Sequence, residues 1–196
     1  RQLLGPSYAL LRPEFESVDI SFRNSRQSND SILVSFGAGD NLGLSCKVAQ
    51  DLLRNTQFRI SVLGSPRSKD VDTWARLQRE FPTKLKGPRF VSSPVEELKA
   101  ADFYVGAGGT ITWERFAVGL PGLVYSIAEN QVAMAHDLDL AGFQKYLGNM
   151  DDYSADVLLQ EIDQAKDRLR SESIKIRRLV DGCGVSRVFS VIQDFL

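Results

Sequence analysis

The sequence predicts an α/β fold: a parallel sheet flanked by helices, followed by a helical C-terminal tail. Three observations lead there. Short apolar runs such as SILVSF (31–36) and GLVYSI (122–127) alternate with stretches whose apolar residues recur at helical spacing. Glycines cluster where strands end, at 37–43 and 106–109. From about residue 154 onward the whole pattern is helical. Strands that alternate with helices imply a parallel sheet with right-handed crossovers.

Residues 1–30 read as a connector. RQLLGPSYALLRPEF (1–15) holds two prolines and few periodic positions, and SFRNSRQSND (21–30) is polar and expected to be mobile. SILVSF is the first strand, a short apolar run ended by glycines and so expected to be buried. GAGDNLG (37–43) is a glycine loop, and LSCKVAQDLL (44–53) is the first helix of the repeating pattern. FRISVLG (58–64) is a strand, and VDTWARLQREF (71–81) is a helix ended by Pro82. PRFVSS (88–93) reads as a short strand and VEELKAA (95–101) as a short helix. DFYVGAGG (102–109) is a strand running into the second glycine loop, and TITWERFAVG (110–119) is its helix. GLVYSI follows as a strand, then NQVAMAHDLDLAG (130–142) as a helix closed by Gly142, with KYLG (145–148) as a last small strand. Residues 31–150 thus form the sheet domain, and 151–196 are helices packing on it or on a further half of the protein. Ligands on such sheets bind at the carboxyl ends of the strands, so the two glycine loops should line one edge.

The totals narrow the class. A chain of 196 residues is one ordinary α/β domain, or a domain with a tail. A net charge of −1 gives no global field favouring nucleic acid or an anionic membrane, and the apolar runs are far short of a membrane span. The basic stretch Lys166, Arg168, Arg170, Lys175, Arg177 and Arg178 is interspersed with Asp167 and Glu172 and reads as a solvated helix face. Cys46 and Cys183 sit in no metal-type spacing and read as reduced, buried thiols of a cytoplasmic protein. The chain begins RQLLG, without Met or a signal-peptide pattern, and is expected to be part of something longer.

The most informative stretch is GAGGTITWERFAVGLP (106–121). Glycines at a strand-to-helix turn let main-chain N–H groups approach a ligand, and a helix N-terminus adds unpaired donors and partial positive charge. Two readings fit: an anion site, most often for phosphate, with Thr110 and Thr112 adding hydroxyls, or a tight turn with a threonine N-cap. The spacing is neither GxGxxG nor a Walker loop. Glu114 lies four residues after Thr110 and two after Thr112, so it completes no capping box. It either accepts hydrogen bonds from a ribose diol or stabilises the helix dipole. Trp113 reads as packing the helix onto the sheet, with stacking on a base as the alternative. His136, the one histidine, falls two turns into its helix and reads as a surface or packing residue rather than a general base.

GAGGTITWERFAVGLPGLVYSIAENQ (106–131) resembles the signature of the UDP-2,4-diacetamido-2,4,6-trideoxy-β-L-altropyranose hydrolases of pseudaminic acid synthesis, which belong to the glycosyltransferase-B (GT-B) superfamily. The resemblance extends to LLGPSYALLRPEF (3–15), ILVSFGAGD (32–40), VEELKAADFYVGAGG (95–109) and DGCGVSRV (181–188). It implies the C-terminal, Rossmann-like half of a two-domain GT-B fold, the half that holds UDP. Gly108, Gly109, Thr110 and Thr112 match its diphosphate loop, Glu114 its ribose carboxylate, and Val95 the position whose main chain meets the uracil. Asn130 and Gln131 match a pair facing sugar and phosphate, and Gly37 and Gly39 match the first glycine loop. There the family usually reads GGxDP and this chain GAGDN, with Ala38 in place of a glycine.

The resemblance implies a parent that releases UDP from a UDP-diacetamido-trideoxyhexose by attack of water, with no metal or cofactor. The family's catalytic histidine lies in an N-terminal domain whose glycine-rich motif this sequence lacks, so no catalytic residue is assigned and the chain alone is expected to be inactive. The expected partners are UDP or a UDP-sugar, that missing catalytic domain and, through the apolar positions Val185, Val188, Phe189 and Ile192 of the last helix, a second copy. Two other readings remain: the donor-binding domain of a GT-B glycosyltransferase, and a non-catalytic nucleotide-sugar-binding module of a larger fusion.

Overall fold

Six strands of five residues each form one fully parallel sheet in the order β3-β2-β1-β4-β5-β6. They are β1 (Ser31–Ser35), β2 (Arg59–Leu63), β3 (Leu85–Arg89), β4 (Phe103–Ala107), β5 (Gly122–Ser126) and β6 (Lys145–Asn149). The helices are α1 (Ser21–Ser25), α2 (Leu44–Asn55), α3 (Val71–Glu80), α4 (Val95–Ala100), α5 (Ile111–Ala117), α6 (Glu129–Leu140), α7 (Ala155–Ala165), α8 (Leu169–Leu179) and α9 (Gly184–Gln193). The computed structural model of the chain describes residues 2–25, 30–37, 43–64, 70–165 and 169–194.

Both sheet faces are covered, which is why the strands read as near-continuous apolar runs. Period-2 alternation sends Ile32, Val34, Phe103, Val105, Leu123 and Tyr125 to a core shared with α2 and α7. Leu33, Tyr104 and Val124 point the other way, to a core with Phe116, Leu138 and Ile176. Strand order reverses between β1 and β4, as in doubly wound Rossmann sheets. In sheets of this kind the ligand crevice lies at the carboxyl ends, beside the point of reversal.

The sequence reading and the structure differ at three places. The third strand is Leu85–Arg89 rather than 88–93. Pro88 lies inside it, which the edge position of β3 tolerates because an edge strand needs no donor on its outer side. Ser21–Ser25, expected to be mobile, forms a helical turn whose start is held by Asp19, which accepts from the Ser21 amide at 2.8 Å and hydroxyl at 2.6 Å. Arg23 from that turn is buried. Its guanidinium donates to the carbonyls of Val118 (2.7 Å), Ala101 (2.9 Å) and Leu98 (2.9 Å), where α4 and α5 end. The third difference concerns the basic stretch. Lys175 donates to the Ala141 and Gly142 carbonyls after α6, and Arg177 to those of Val180 and Val18. Lys166, Arg168 and the Arg170 side chain lie outside the described residues.

The N-terminal arm is seated on the domain. Phe15 is fully buried in the second core. DGCGVSRV explains itself here. Arg187 pairs with Asp181 and donates to the Ser7 carbonyl at 2.9 Å, and Ser186 donates to Glu16 at 2.9 Å. A Cβ on Gly182 or Gly184 would collide with the carbonyls of Phe15 or Ala9, so both glycines let the arm lie close. Cys46 is buried and Cys183 half-buried, and neither forms a disulfide. Among the described residues no helix is long and apolar enough to cross a membrane.

Candidate functional site

The carboxyl ends of β1 and β4 are locked together by Tyr104. Its buried hydroxyl lies 2.7 Å from the Ser35 carbonyl and 3.1 Å from that of Ala107, and burial pushes the phenol well up from its ordinary range. A Cβ on Gly106, paired with Ser35, would drive into the Ser35 carbonyl and this hydroxyl. Gly106 is bare because two strands and a phenol meet there.

Gly108 and Gly109 need another reason. Neither has positive φ, and a Cβ on either would find only ordinary contacts, the nearest to Gly109 being Gln131 Nε2 at 3.6 Å. The Gly108 amide is committed to the Tyr125 carbonyl at 2.9 Å. Those of Gly109 and Thr110 donate to no carbonyl among the described residues. Thr110 is exposed at the N-cap of α5, but its side chain makes no cap bond, so the threonine-cap reading of this turn fails. Thr112 is fully buried behind the loop, with no hydrogen-bond partner for its hydroxyl among the described residues.

Two clefts meet at Thr110 and Ile111, with Gly37 lining both. One, of about 290 Å³, runs between Glu114 and Arg12 on one side and Phe90, Val91 and Ser92 on the other. Phe90 is 65% exposed. Val95 does not line this cleft. Helix α4 begins at Val95, so the loop before it faces the strand ends while Val95 joins Glu14, Val18 and Phe22 in a neighbouring pocket. Gly39 and Ala38 lie outside the described residues.

Arg12 is the residue the sequence reading missed. From the arm it donates to Glu114 Oε1 at 2.8 Å, and no local spacing links positions so far apart in the chain. The Glu114 side chain is 20% exposed. Burial raises its carboxyl above the ordinary value, and the Arg12 charge and hydrogen bond pull the other way.

The second cleft, of about 410 Å³, is walled by Phe36, Ile127, Met134 and Trp113, with Asn130 and Gln131 at its rim. The Ile127 amide donates to Gln131 Oε1 at 3.0 Å, which fixes the side-chain amide and leaves its Nε2 over Gly109. Trp113 packs edge-on against Phe116, ring centroids 6.0 Å apart, and also lines this cleft. The Arg115 side chain next to Glu114 is fully buried and donates to the Leu120 carbonyl and to Gln144; burial lowers its pKa to about 10. It belongs to the core. The His136 side chain is 60% exposed on α6, away from the cleft lining. Among the described residues no group of three His, Cys, Asp or Glu is placed to hold a metal. A larger cleft, of about 560 Å³, lies at the opposite edge of the sheet among Asp30, Phe58, Leu159 and Ile162. It lies where the strands begin, at the end of the sheet opposite the carboxyl ends.

No protein-family model matches the chain. It is 29% identical over 125 residues to the uncharacterized protein MJ1062 of Methanocaldococcus jannaschii, covering 61% of this chain and 26% of that protein. It is 26% identical over 200 residues to the spore coat polysaccharide biosynthesis protein SpsG of Bacillus subtilis, covering 97% of this chain and 57% of SpsG. The chain therefore spans only part of these relatives. Among solved structures, Acinetobacter baumannii MurG superimposes with a TM-score of 0.69 at 19% identity, over 86% of this chain and 54% of MurG. The glycosyltransferase VinC in complex with dTDP gives 0.62 at 14% identity, over 88% and 43%. The fold is that of the Rossmann-like C-terminal half of GT-B glycosyltransferases, with a helical tail.

Proposed function

We propose that the chain binds a nucleoside diphosphate-sugar, UDP-linked by the sequence resemblance, as the donor-binding half of a GT-B-type enzyme of glycan biosynthesis. The observation that carries this is Gly109: a glycine with no conformational or packing need, its amide and that of Thr110 without an acceptor among the described residues, at the point where the sheet order reverses. A backbone left bare without a structural reason leaves room for a ligand.

In this reading the amides of Gly109 and Thr110, the Thr110 hydroxyl and Gln131 Nε2 receive the diphosphate. Glu114 accepts from the ribose diol, and the base lies along the main chain of Phe90–Ser92. The sugar points toward Asn130 and the apolar wall of the second cleft. When the bond to the sugar breaks, negative charge grows on the departing diphosphate, and donors already aimed at it lower the barrier without reorganising. The dTDP bound to VinC and the polysaccharide role in the name of SpsG support the class. The test is calorimetric titration with UDP, UMP and ADP. Affinity in the order UDP above UMP and ADP is expected; no preference for a diphosphate would refute the reading.

The sequence of 106–131 favours a second, finer reading, in which the acceptor is water. A longer parent carrying the other half of the cleft distinguishes the two. Free sugar carrying 18O from labelled water means a hydrolase, and sugar joined to another molecule means a transferase.

A further inference from the structure

We propose that Arg12 is a positioning residue for nucleotide binding: it holds the Glu114 carboxylate turned into the cleft, so that a ribose diol meets an acceptor already fixed in place. This rests on the reading of Glu114 as the diol acceptor. Arg12 Nη1 donates to Oε1 at 2.8 Å, while Oε2 accepts no hydrogen bond among the described residues. Both residues line the cleft that Phe90, Val91 and Ser92 close on the far side. The Arg12 side chain is half-exposed, but the backbone that carries it is seated. Its arm is fixed three residues on by buried Phe15, and earlier by the Arg187 bond to the Ser7 carbonyl. A seated backbone limits the cost of ordering the pair to the Arg12 side chain itself.

The pair also decides the charge of the acceptor. A carboxylate accepts two hydroxyl donors, whereas a protonated carboxyl spends one oxygen as a donor. The ionisable groups around Glu114 are Arg12 and Glu14 from the arm, Tyr104 beneath it on β4, and Arg89 across the cleft, itself paired with Glu97 at 2.7 Å. Arg12 is the cation that bonds Glu114. Burial and Glu14 both favour the neutral form, and Arg12 opposes them. Without Arg12 the acceptor should take up its proton at higher pH and lose its fixed orientation.

The experiment compares wild type, Arg12→Ala, Arg12→Gln, Arg12→Lys and Glu114→Gln, titrated with UDP and with 2′,3′-dideoxy-UDP between about pH 4 and pH 8. Arg12→Ala and Arg12→Gln should bind UDP about tenfold more weakly at neutral pH, as expected for the loss of one charge-assisted contact. The fall in affinity on acidification should begin at higher pH. Arg12→Lys should restore the pH profile, because it keeps the charge. None of these changes should touch the dideoxy analogue. An unchanged UDP affinity and pH profile in Arg12→Ala overturns the proposal. So does an equal loss for both nucleotides, which would place Arg12 on the phosphates or base. If wild type does not distinguish UDP from the dideoxy analogue, or Glu114→Gln binds UDP as wild type does, the Glu114 reading itself falls and takes this one with it.

Discussion

Replacing Gly109 and Gly106 by alanine separates ligand from fold within one loop. At Gly109 a new Cβ meets Gln131 Nε2 at 3.6 Å, ordinary contact, and the backbone is not left-handed. Folding should be unchanged, or gain about 0.4–1 kcal/mol from the stiffer unfolded chain. At Gly106 the same methyl collides with the Ser35 carbonyl and the Tyr104 hydroxyl. Overpacking of this kind costs about 1–3 kcal/mol, and disturbing the Tyr104 hydrogen bond adds about 0.5–1.5 kcal/mol. With an m-value of about 2 kcal/mol/M, a total near 3 kcal/mol lowers the urea midpoint by about 1.5 M. Nucleotide binding should move the other way round. Gly109→Ala places a methyl where the diphosphate must approach and should weaken UDP binding at least about tenfold, roughly 1.4 kcal/mol. The assay is urea unfolding beside calorimetric titration of the same preparations. A Gly109→Ala protein as destabilised as Gly106→Ala, or one that binds UDP like wild type, would refute the reasoning.

Arg23→Met should cost about 3–5 kcal/mol, since it leaves three carbonyls without their buried donor, and the urea midpoint measures it. Phe15→Ala should cost about 3–5 kcal/mol by the same assay, because the side chain is fully buried; a loss near zero would mean the arm is not part of the domain. Glu114→Gln should stabilise the fold at neutral pH. The folded carboxyl has a raised pKa, so the stability it contributes is present below the unfolded value near 4.5 and is lost as pH rises through the folded one. The advantage of Gln should therefore vanish in acid, and thermal unfolding across pH checks it.

The sheet was legible because both of its faces are buried. Ile32 to Val34 form an unbroken apolar run, and glycines mark where β1 and β4 end. The boundary of β3 was not, because Pro88 argues for a strand start and only the edge position of the strand makes it harmless. The glycine loop before α5 was legible as a strand-to-helix turn, but which glycine serves the fold depends on what lies across from it. Ser35 and Tyr104 press on Gly106, whereas a Cβ on Gly109 would meet only Gln131 Nε2 at ordinary contact distance. Arg12 and Arg23 were invisible for the same reason. Each is a single arginine in an irregular segment, and its partner is set by tertiary packing rather than by spacing. That Val95 falls outside the cleft turned on where α4 begins, and helix ends are poorly fixed by local sequence. The apolar stripe of α9, with Phe189 58% and Ile192 50% exposed, was legible from its period.

The central claim is that the carboxyl ends of β1 and β4 hold a nucleoside diphosphate. The most direct measurement is amide NMR of the chain titrated with UDP, with Glu114→Gln run in parallel. The account expects saturable shifts at Gly109–Glu114, Gly37 and Phe90–Ser92 in wild type, and much weaker binding in the variant. Saturable shifts confined to the residues around Phe58 and Ile162, or no shifts at millimolar UDP, would contradict it.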